Sequence, residues 1–165
     1  MIFKIYKHDT DLYNKLLILS RNIFFYKTLK LADNFETRIY LMFFHFSIIL
    51  TIFKDIKKKF EQNNYDSLFY NIENNLRELG FGDVSVNKKM KEMNKIFYDI
   101  LLKHQINKSN TDKINEKLVL KYFPDLNNAK TQEFKYFETY FIKFYQFCFE
   151  LSPDNMIEDS IKFKF

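Results

Sequence analysis

A long apolar run in the first third of the chain limits the available folds more than any other feature. Residues Ile39–Phe53 (IYLMFFHFSIILTIF) fill 15 positions between Arg38 and Lys54. A helix that spans a bilayer needs about 20 such residues, and somewhat shorter runs are more often buried core helices. The run also contains three polar residues: His45, Ser47 and Thr51. We therefore predict a buried central helix in a soluble domain, with a membrane-dipping segment as the alternative.

Spacing typical of α-helices recurs along the rest of the chain, whereas the alternation typical of strands does not. Asp33 and Ser85 are predicted helix caps, with Glu36 completing a capping box with Asp33. The predicted helices run from about Thr10 to Leu29, from Asp33 to Phe60, from after Asn64 to Gly80, from Ser85 to His104, from Asp112 to Phe123 and from Thr131 to Leu151. A tail or a short extra element follows from Asp154 to Phe165. The 165 residues therefore predict an all-α fold: a single compact helical domain of about six helices around the long apolar helix.

Residue types that most enzymes and metal sites require are sparse in this chain. Cys148 is the only cysteine, and His8, His45 and His104 are far apart in the sequence. No metalloprotease, redox-cysteine or phosphate-loop motif occurs, and two glycines cannot supply a dinucleotide-binding motif. We therefore expect no enzymatic activity, no catalytic residues, no metal and no cofactor.

Basic residues outnumber acidic ones, and the formal net charge is +5. A positive surplus suits anionic lipid or RNA, although the codon bias of an AT-rich genome explains part of the lysine excess. Lys57, Lys58 and Lys59 are candidate membrane-surface residues, and the alternative is a helix end whose dipole they match. No targeting peptide is evident, because the first 11 residues turn acidic and polar early. We expect the chain to stay in the cytoplasm.

Aromatic residues populate every side of the last predicted helix, which indicates either a central position in the core or a covering partner. These residues are Phe134, Tyr136, Phe137, Tyr140, Phe141, Phe144, Tyr145, Phe147 and Phe149. Met90 and Met93 have the adaptable side chains of a hydrophobic binding groove, but such methionines are more often core residues. The sequence alone does not decide whether the last helix is central or covered by a partner, nor whether the two methionines line a groove or the core.

The segment Leu76–Met90 is the most distinctive local signal, because both glycines of the chain, Gly80 and Gly82, lie in it. A sharp turn between two helices would explain both. The chain has three arginines, Arg21, Arg38 and Arg77, whose planar side chains suit paired or partly buried sites. We predict that they form a network with Asp33 and Asp83 inside the fold, and partner recognition is the alternative.

Several of these blocks, in this order, resemble the ubiquinol–cytochrome c chaperone family of mitochondrial assembly factors and their bacterial-type relatives. The resemblance rests on Arg21–Tyr26 (RNIFFY), on Ala32-Asp33 leading to Arg38, and on Leu76–Val86 (LRELGFGDVSV) followed by Lys88, Lys89 and Met90. It is strongest over residues 12–104. Two family glycines are replaced here, by Asp99 and by Thr37.

The resemblance implies a non-enzymatic chaperone that binds newly made cytochrome b and supports assembly of the ubiquinol–cytochrome c reductase (bc1) complex of the respiratory chain. It implies a cytoplasmic protein, peripheral at the cytoplasmic face of the inner membrane, with a ribosome or a second assembly factor as further partners and no specific nucleic acid. The candidate client-binding residues are Arg21, Tyr26, Asp33, Arg38, Arg77, Gly80, Gly82, Asp83, Lys88, Lys89, Met90 and Met93.

Three hypotheses follow, each with its own structural expectation. An assembly chaperone should bind its client in a groove between the central helix and its neighbours. It should have an apolar cleft or patch near the second and fourth predicted helices, rimmed by the Arg77–Lys89 loop. A basic ribosome-binding or nucleic-acid-binding helical module should gather lysines on one face. A small hydrophobe-binding or lipid-binding helical protein should enclose an apolar cavity.

Overall fold

The structure is a computed structural model that describes residues 12–165. These residues form helices joined by short connections, and no strand occurs among them. The α-helices are α1 (12–20), α2 (Ile23–Lys27), α3 (Phe35–Asp55), α4 (Gln62–Glu78), α5 (Asp83–Lys103), α6 (Glu116–Tyr122), α7 (Gln132–Phe149) and α8 (Met156–Ser160), with single 3-10 turns at Pro124–Leu126 and Pro153–Asn155. The predicted all-α fold with one long apolar helix is confirmed.

Helix α3 is the centre of the fold, with α5 and α7 packed against it. It is long and apolar enough to cross a membrane by length and composition, with a mean hydropathy of 1.3 over its most apolar stretch. Two thirds of that stretch (67%) is nevertheless buried by the rest of the chain. Even His45 and Ser47 are fully covered. In this fold α3 is therefore a core helix, as predicted.

Helix α7 supplies an aromatic face to the core. Phe134, Phe137, Tyr140, Phe141 and Phe144 are all buried, with fractional exposures of 2% or less. The opposite side of the helix is more open, and Tyr136 and Phe149 are exposed. The many aromatic residues of α7 thus mainly fill the core between α3 and α8.

The residues after Pro153 do not form a free tail. Met156 and Ser160 of α8 are buried. The ring of Phe163 lies 5.2 Å from that of Tyr140, and the ring of Phe165 lies 5.6 Å from it, measured between centroids. The last residues therefore close the core over α7.

Two predictions about the helices before residue 40 are wrong. The helix predicted over Thr10–Leu29 breaks at Asn22, whose side chain accepts a hydrogen bond from the Phe24 amide and starts a new helix. The part of that prediction before residue 12 lies outside the described residues. The cap of α3 is Asn34 and not Asp33, because Asn34 Oδ1 accepts from the Thr37 amide at 2.9 Å.

Helix α3 ends at Asp55, several residues before the predicted Phe60. The Lys58 amide donates to the Phe53 carbonyl at 2.8 Å and the Lys57 amide to the Lys54 carbonyl at 3.1 Å. Lys57 is in the left-handed conformation, with a φ of 57°. This pattern is a Schellman closure, in which a lysine takes the position that glycine usually holds. Lys57, Lys58 and Lys59 thus form an exposed connection after the helix.

The turn between α4 and α5 confirms one prediction and corrects another. Gly80 has a φ of 96°, and the Phe81 amide donates to the Leu76 carbonyl at 3.2 Å, as a Schellman ending requires. Helix α5 begins at Asp83 with Gly82 as its cap, so Ser85 is not the cap residue. The Val86 amide bonds back to the Gly82 carbonyl at 2.9 Å, which places Ser85 inside the first turn.

Candidate functional site

An open cleft of about 380 Å³ lies between α1, the first turns of α3 and the last turn of α4. Its walls are apolar and polar in about equal parts, and its rim carries charged and amide groups. The lining residues are Tyr13, Leu17, Arg21, Phe35, Arg38, Ile39, Met42, Asn75, Glu78 and Leu79. The side chain of Asn75 hydrogen-bonds the Tyr13 hydroxyl, which ties α4 to α1 at this site. The volume is in the range of sites that hold a small ligand or a few side chains.

Arg38 stands on one rim of this cleft and is held by Asp33. Its Nε and Nη2 atoms both donate to Asp33 Oδ1, at 3.0 and 2.5 Å. The hydrogen bond to Asp33 raises the pKa of the Arg38 guanidinium, so the group stays charged. The two side chains are 38% and 60% exposed, which makes this a rim pair and not part of the interior.

Tyr26 lies beside this pair and links it to the end of α1. Its hydroxyl donates to the Ser20 carbonyl at 2.8 Å. Burial raises the pKa of Tyr26 from 10.0, and the neighbouring Arg38 opposes that rise. Four of the sequence-predicted site residues, Arg21, Tyr26, Asp33 and Arg38, are therefore brought together at or next to the cleft.

Arg77 belongs to a different surface, at the turn between α4 and α5. It pairs with Asp83 across the turn and approaches Glu73 of its own helix at 3.5 Å. The Asp83 side chain is 84% exposed. The predicted network of arginines with Asp33 and Asp83 inside the fold is therefore wrong, because each carboxylate forms its own exposed pair with the nearest arginine.

The other predicted site residues are distributed over three places. Gly80 and Gly82 shape the turn beside Arg77, where the Lys89 ammonium lies 4.8 Å from the centre of the Phe81 ring. Met93 is 3% exposed and belongs to the core, whereas Met90 is half-buried at its edge. Lys88 is exposed on the outer side of α5.

The groove predicted near the second and fourth predicted helices stays a prediction, and an open depression between α3, α5 and α6 is lined there by Tyr40, Ile96 and Tyr122. Elsewhere α3 and α5 pack directly against each other. The cleft lies on the α1 and α4 side of α3, where Leu17, Met42 and Leu79 meet. Sequence reasoning missed these three residues as site residues. For Leu79 alone the sequence holds a signal: it directly precedes Gly80, the glycine predicted to end the helix, which places Leu79 at a helix end on the surface.

Both histidines of the described chain are buried and structural. His45 is fully covered, and burial lowers its pKa from 6.5 to about 3. His104 is 4% exposed, and burial lowers its pKa to about 4. Its Nε2 atom lies 2.7 Å from the Thr51 hydroxyl. Burial also raises the pKa of the Cys148 thiol. Among residues 12–165, no group of three histidine, cysteine or acidic side chains is arranged to hold a metal.

The described residues define an all-helical fold with an open cleft of mixed apolar and polar lining, rimmed by arginine. Residues 27–108, about half of the chain, match the family model described as ubiquinol-cytochrome C chaperone, and the chain belongs to this family. The match includes the whole of α3, α4 and α5, whereas Arg21 and Tyr26 lie before it. No curated protein and no solved structure gives a significant match to the chain.

Proposed function

We propose that this protein is a non-enzymatic chaperone that holds newly made cytochrome b during assembly of the bc1 complex. Membership of the ubiquinol-cytochrome C chaperone family supports the role in assembly. One structural observation supports the cleft as the client-binding site. Seven of the ten residues that line the cleft lie inside the matched range of 27–108: four in α3, two in α4, and Leu79, which caps the end of α4.

The chemistry of the cleft suits an apolar client segment. Half-buried Leu17 contributes apolar surface to the cleft, whereas Ile39 and Met42 are buried, with 2% and 0% of their surface exposed. Leu79, 59% exposed, extends the apolar surface to the rim. A volume of about 380 Å³ accepts a few side chains of a client, not a whole helix. Such limited coverage allows release once the client is assembled.

We place this activity at the cytoplasmic face of the inner membrane, where a membrane subunit such as cytochrome b would be met. A second assembly factor or the ribosome would be a further partner there. The positive formal charge of +5 supports a position next to anionic surfaces of either kind.

The proposal is tested by affinity purification of the tagged protein from detergent-solubilised native membranes, followed by mass spectrometry. We expect cytochrome b and other bc1 subunits to be recovered and to survive moderate salt. The variant Leu79→Glu places a charge at the cleft and should lose most of the recovered cytochrome b. The matched control Tyr136→Glu adds the same charge at a 41% exposed position on α7, away from the cleft, and should retain it.

Two results would contradict the proposal. One is recovery of ribosomal proteins and rRNA alone, lost as salt rises, since phosphate contacts weaken steeply with ionic strength. The other is equal recovery of cytochrome b by both variants when circular dichroism shows both to be folded. That second result would leave a chaperone role in place but remove the cleft as its site.

A further inference from the structure

Helix α5 presents two opposite faces along its whole length. Its inner face is buried or half-buried at every fourth or third residue: Val86, Met90, Met93, Phe97, Ile100 and His104. Its outer face repeats the same spacing, and all six of its residues are exposed: Val84, Lys88, Lys91, Lys95, Tyr98 and Leu102. We call this outer row the α5 stripe. At 1.5 Å per residue it is roughly 27 Å long.

The middle of the α5 stripe is positively charged. Lys88, Lys91 and Lys95, here called the α5 lysines, form no ion pair with any residue of the described range 12–165. Of the three acidic residues of α5, Asp83 pairs with Arg77, and Asp99 is already neutralised by Lys103 and Lys121, with contacts of 2.6 and 2.9 Å. Glu92 remains as the one exposed carboxylate beside three lysines.

Apolar side chains stand at both ends of the same row. Val84 is 85% exposed and Leu102 is 79% exposed, and Tyr98 is half exposed between Lys95 and Leu102. These side chains contribute little to the core, so the fold itself does not explain them. A row of cations flanked by aliphatic and tyrosine side chains is the composition of a surface that adsorbs to a membrane interface.

We propose that the α5 stripe is the surface by which this protein docks on an anionic lipid bilayer. The α5 lysines face the phosphate headgroups, while Val84 and Leu102 enter the boundary between headgroups and acyl chains. The cationic stripe complements the negative charge of such a leaflet. An RNA backbone would pair with the lysines equally well but offers no apolar partner for the two ends of the stripe. The inference rests on the proposed location at a membrane, and not on the identity of the client.

This assignment differs from the one that sequence predicts. Lys57, Lys58 and Lys59, here called the connection lysines, follow one another in a turn, and Lys58 and Lys59 border a separate pocket with acidic residues Glu61, Asp154 and Glu158. Glu61 and Asp154 lower the positive charge of this surface, while Glu158 already pairs with Lys15. The connection lysines therefore make a matched control that removes the same number of charges.

The test is flotation of the full-length protein with vesicles of equimolar phosphatidylcholine and phosphatidylglycerol, compared with pure phosphatidylcholine. We expect binding to the anionic vesicles only. Replacing all three α5 lysines by glutamine should lower the partition coefficient roughly 100-fold, at about fivefold per lysine. The same triple replacement of the connection lysines should lower it less than tenfold. Val84→Ser with Leu102→Ser should weaken binding further at high salt, where charge attraction is screened.

The proposal is overturned if both triple variants lose binding equally, or if the wild-type protein does not bind anionic vesicles. It is also overturned if the α5 variant binds vesicles normally but loses binding to purified ribosomes. The variant that replaces only Lys91 and Lys95 by glutamine, neither of which lines the cleft, should still recover cytochrome b from detergent extracts. Loss of vesicle binding with intact client recovery therefore tests the docking surface, whereas loss of client recovery by Leu79→Glu tests the chaperone proposal.

Discussion

The Nε2 atom of His45 lies 2.8 Å from the hydroxyl of Tyr140, a residue 95 positions later in the chain. The other ring nitrogen, Nδ1, lies 2.6 Å from the Leu41 carbonyl oxygen. Because a carbonyl can only accept, Nδ1 carries the proton, and Nε2 accepts from Tyr140. A neutral imidazole thus joins α3 to α7 in the middle of the core.

Replacing Tyr140 by phenylalanine should destabilise the protein by about 1–3 kcal/mol, because His45 Nε2 would be buried with no hydrogen-bond donor. The hydroxyl is the only group removed, so the aromatic packing stays. Chemical denaturation with matched m-values measures the change. Tyr136→Phe, on the exposed side of α7, is the control and should change the free energy of unfolding by less than about 0.5 kcal/mol. Equal stability of both variants would contradict the assigned hydrogen bond.

Stability should fall as the pH is lowered from about 6.5 towards 4. The pKa values of His45 and His104 drop on folding, from 6.5 to about 3 and about 4, because both rings are buried. In that pH window the unfolded chain binds more protons than the folded one, so the free energy of unfolding rises with pH. The slope is up to about 1.4 kcal/mol per pH unit for each histidine.

The variant His45→Gln isolates one part of this pH dependence. It should be less stable at pH 7 but show a shallower loss of stability between pH 6.5 and 4, because one of the two titrating groups is gone. Denaturant titrations at several pH values measure both slopes. Parallel curves for the variant and the wild-type protein would mean that His45 is not the group that titrates.

The core of this protein is predictable from its sequence because apolar periodicity determines which side of each helix is buried. The inner face of α5 is the clearest case, and the apolar run of α3 is another. The closure of α3 is not predictable, because Lys57 stands where glycine is expected. The cleft and the His45–Tyr140 bond also escape prediction, since they depend on which distant helices come together. Both require the three-dimensional packing.

Asp99 should stabilise the packing of α6 on α5. Its carboxylate accepts from the Tyr122 hydroxyl at 2.5 Å and from Lys121 at 2.9 Å, and it pairs with Lys103. The hydrogen bond from Lys103, followed by that from Tyr122, holds the pKa of Asp99 well below its usual value. Asp99→Asn should therefore lower the melting temperature, by an amount equivalent to about 1–2 kcal/mol. The control Glu92→Gln changes an exposed carboxylate of the same helix and should have little effect.

Arg77→Ala should leave the thermal unfolding curve unchanged, because Arg77 and Asp83 form an exposed pair and not a buried network. Client capture by this variant can then be interpreted without a folding defect. Reduced recovery of cytochrome b would make Arg77 a contact residue. The charge-preserving variant Arg77→Lys serves as the control in the same pull-down. Unfolding of Arg77→Ala at ordinary temperature would contradict the exposed position of the side chain.

At the two Schellman closures, replacing glycine and introducing glycine should have opposite effects on stability. Gly80 and Lys57 both hold left-handed φ angles, of 96° and 57°. A side chain at such a position costs about 1–2 kcal/mol relative to glycine. Gly80→Ala should therefore destabilise the protein by about 1 kcal/mol from backbone strain alone, since an added Cβ would meet no atom within 4 Å. Lys57→Gly should stabilise it by a similar amount, because the Lys57 side chain is exposed.

Gly82→Ala and Lys58→Gly separate strain from other effects of these substitutions. Gly82 has an ordinary φ of −75° and equally open space around it, so its replacement by alanine should have a smaller effect than that of Gly80. Lys58 is exposed like Lys57 but has no positive φ, so Lys58→Gly should destabilise the protein slightly through the added freedom of the unfolded chain. Denaturant unfolding of the four variants measures all the differences. A Lys57→Gly protein no more stable than Lys58→Gly would show that the end of α3 is not closed in the left-handed conformation.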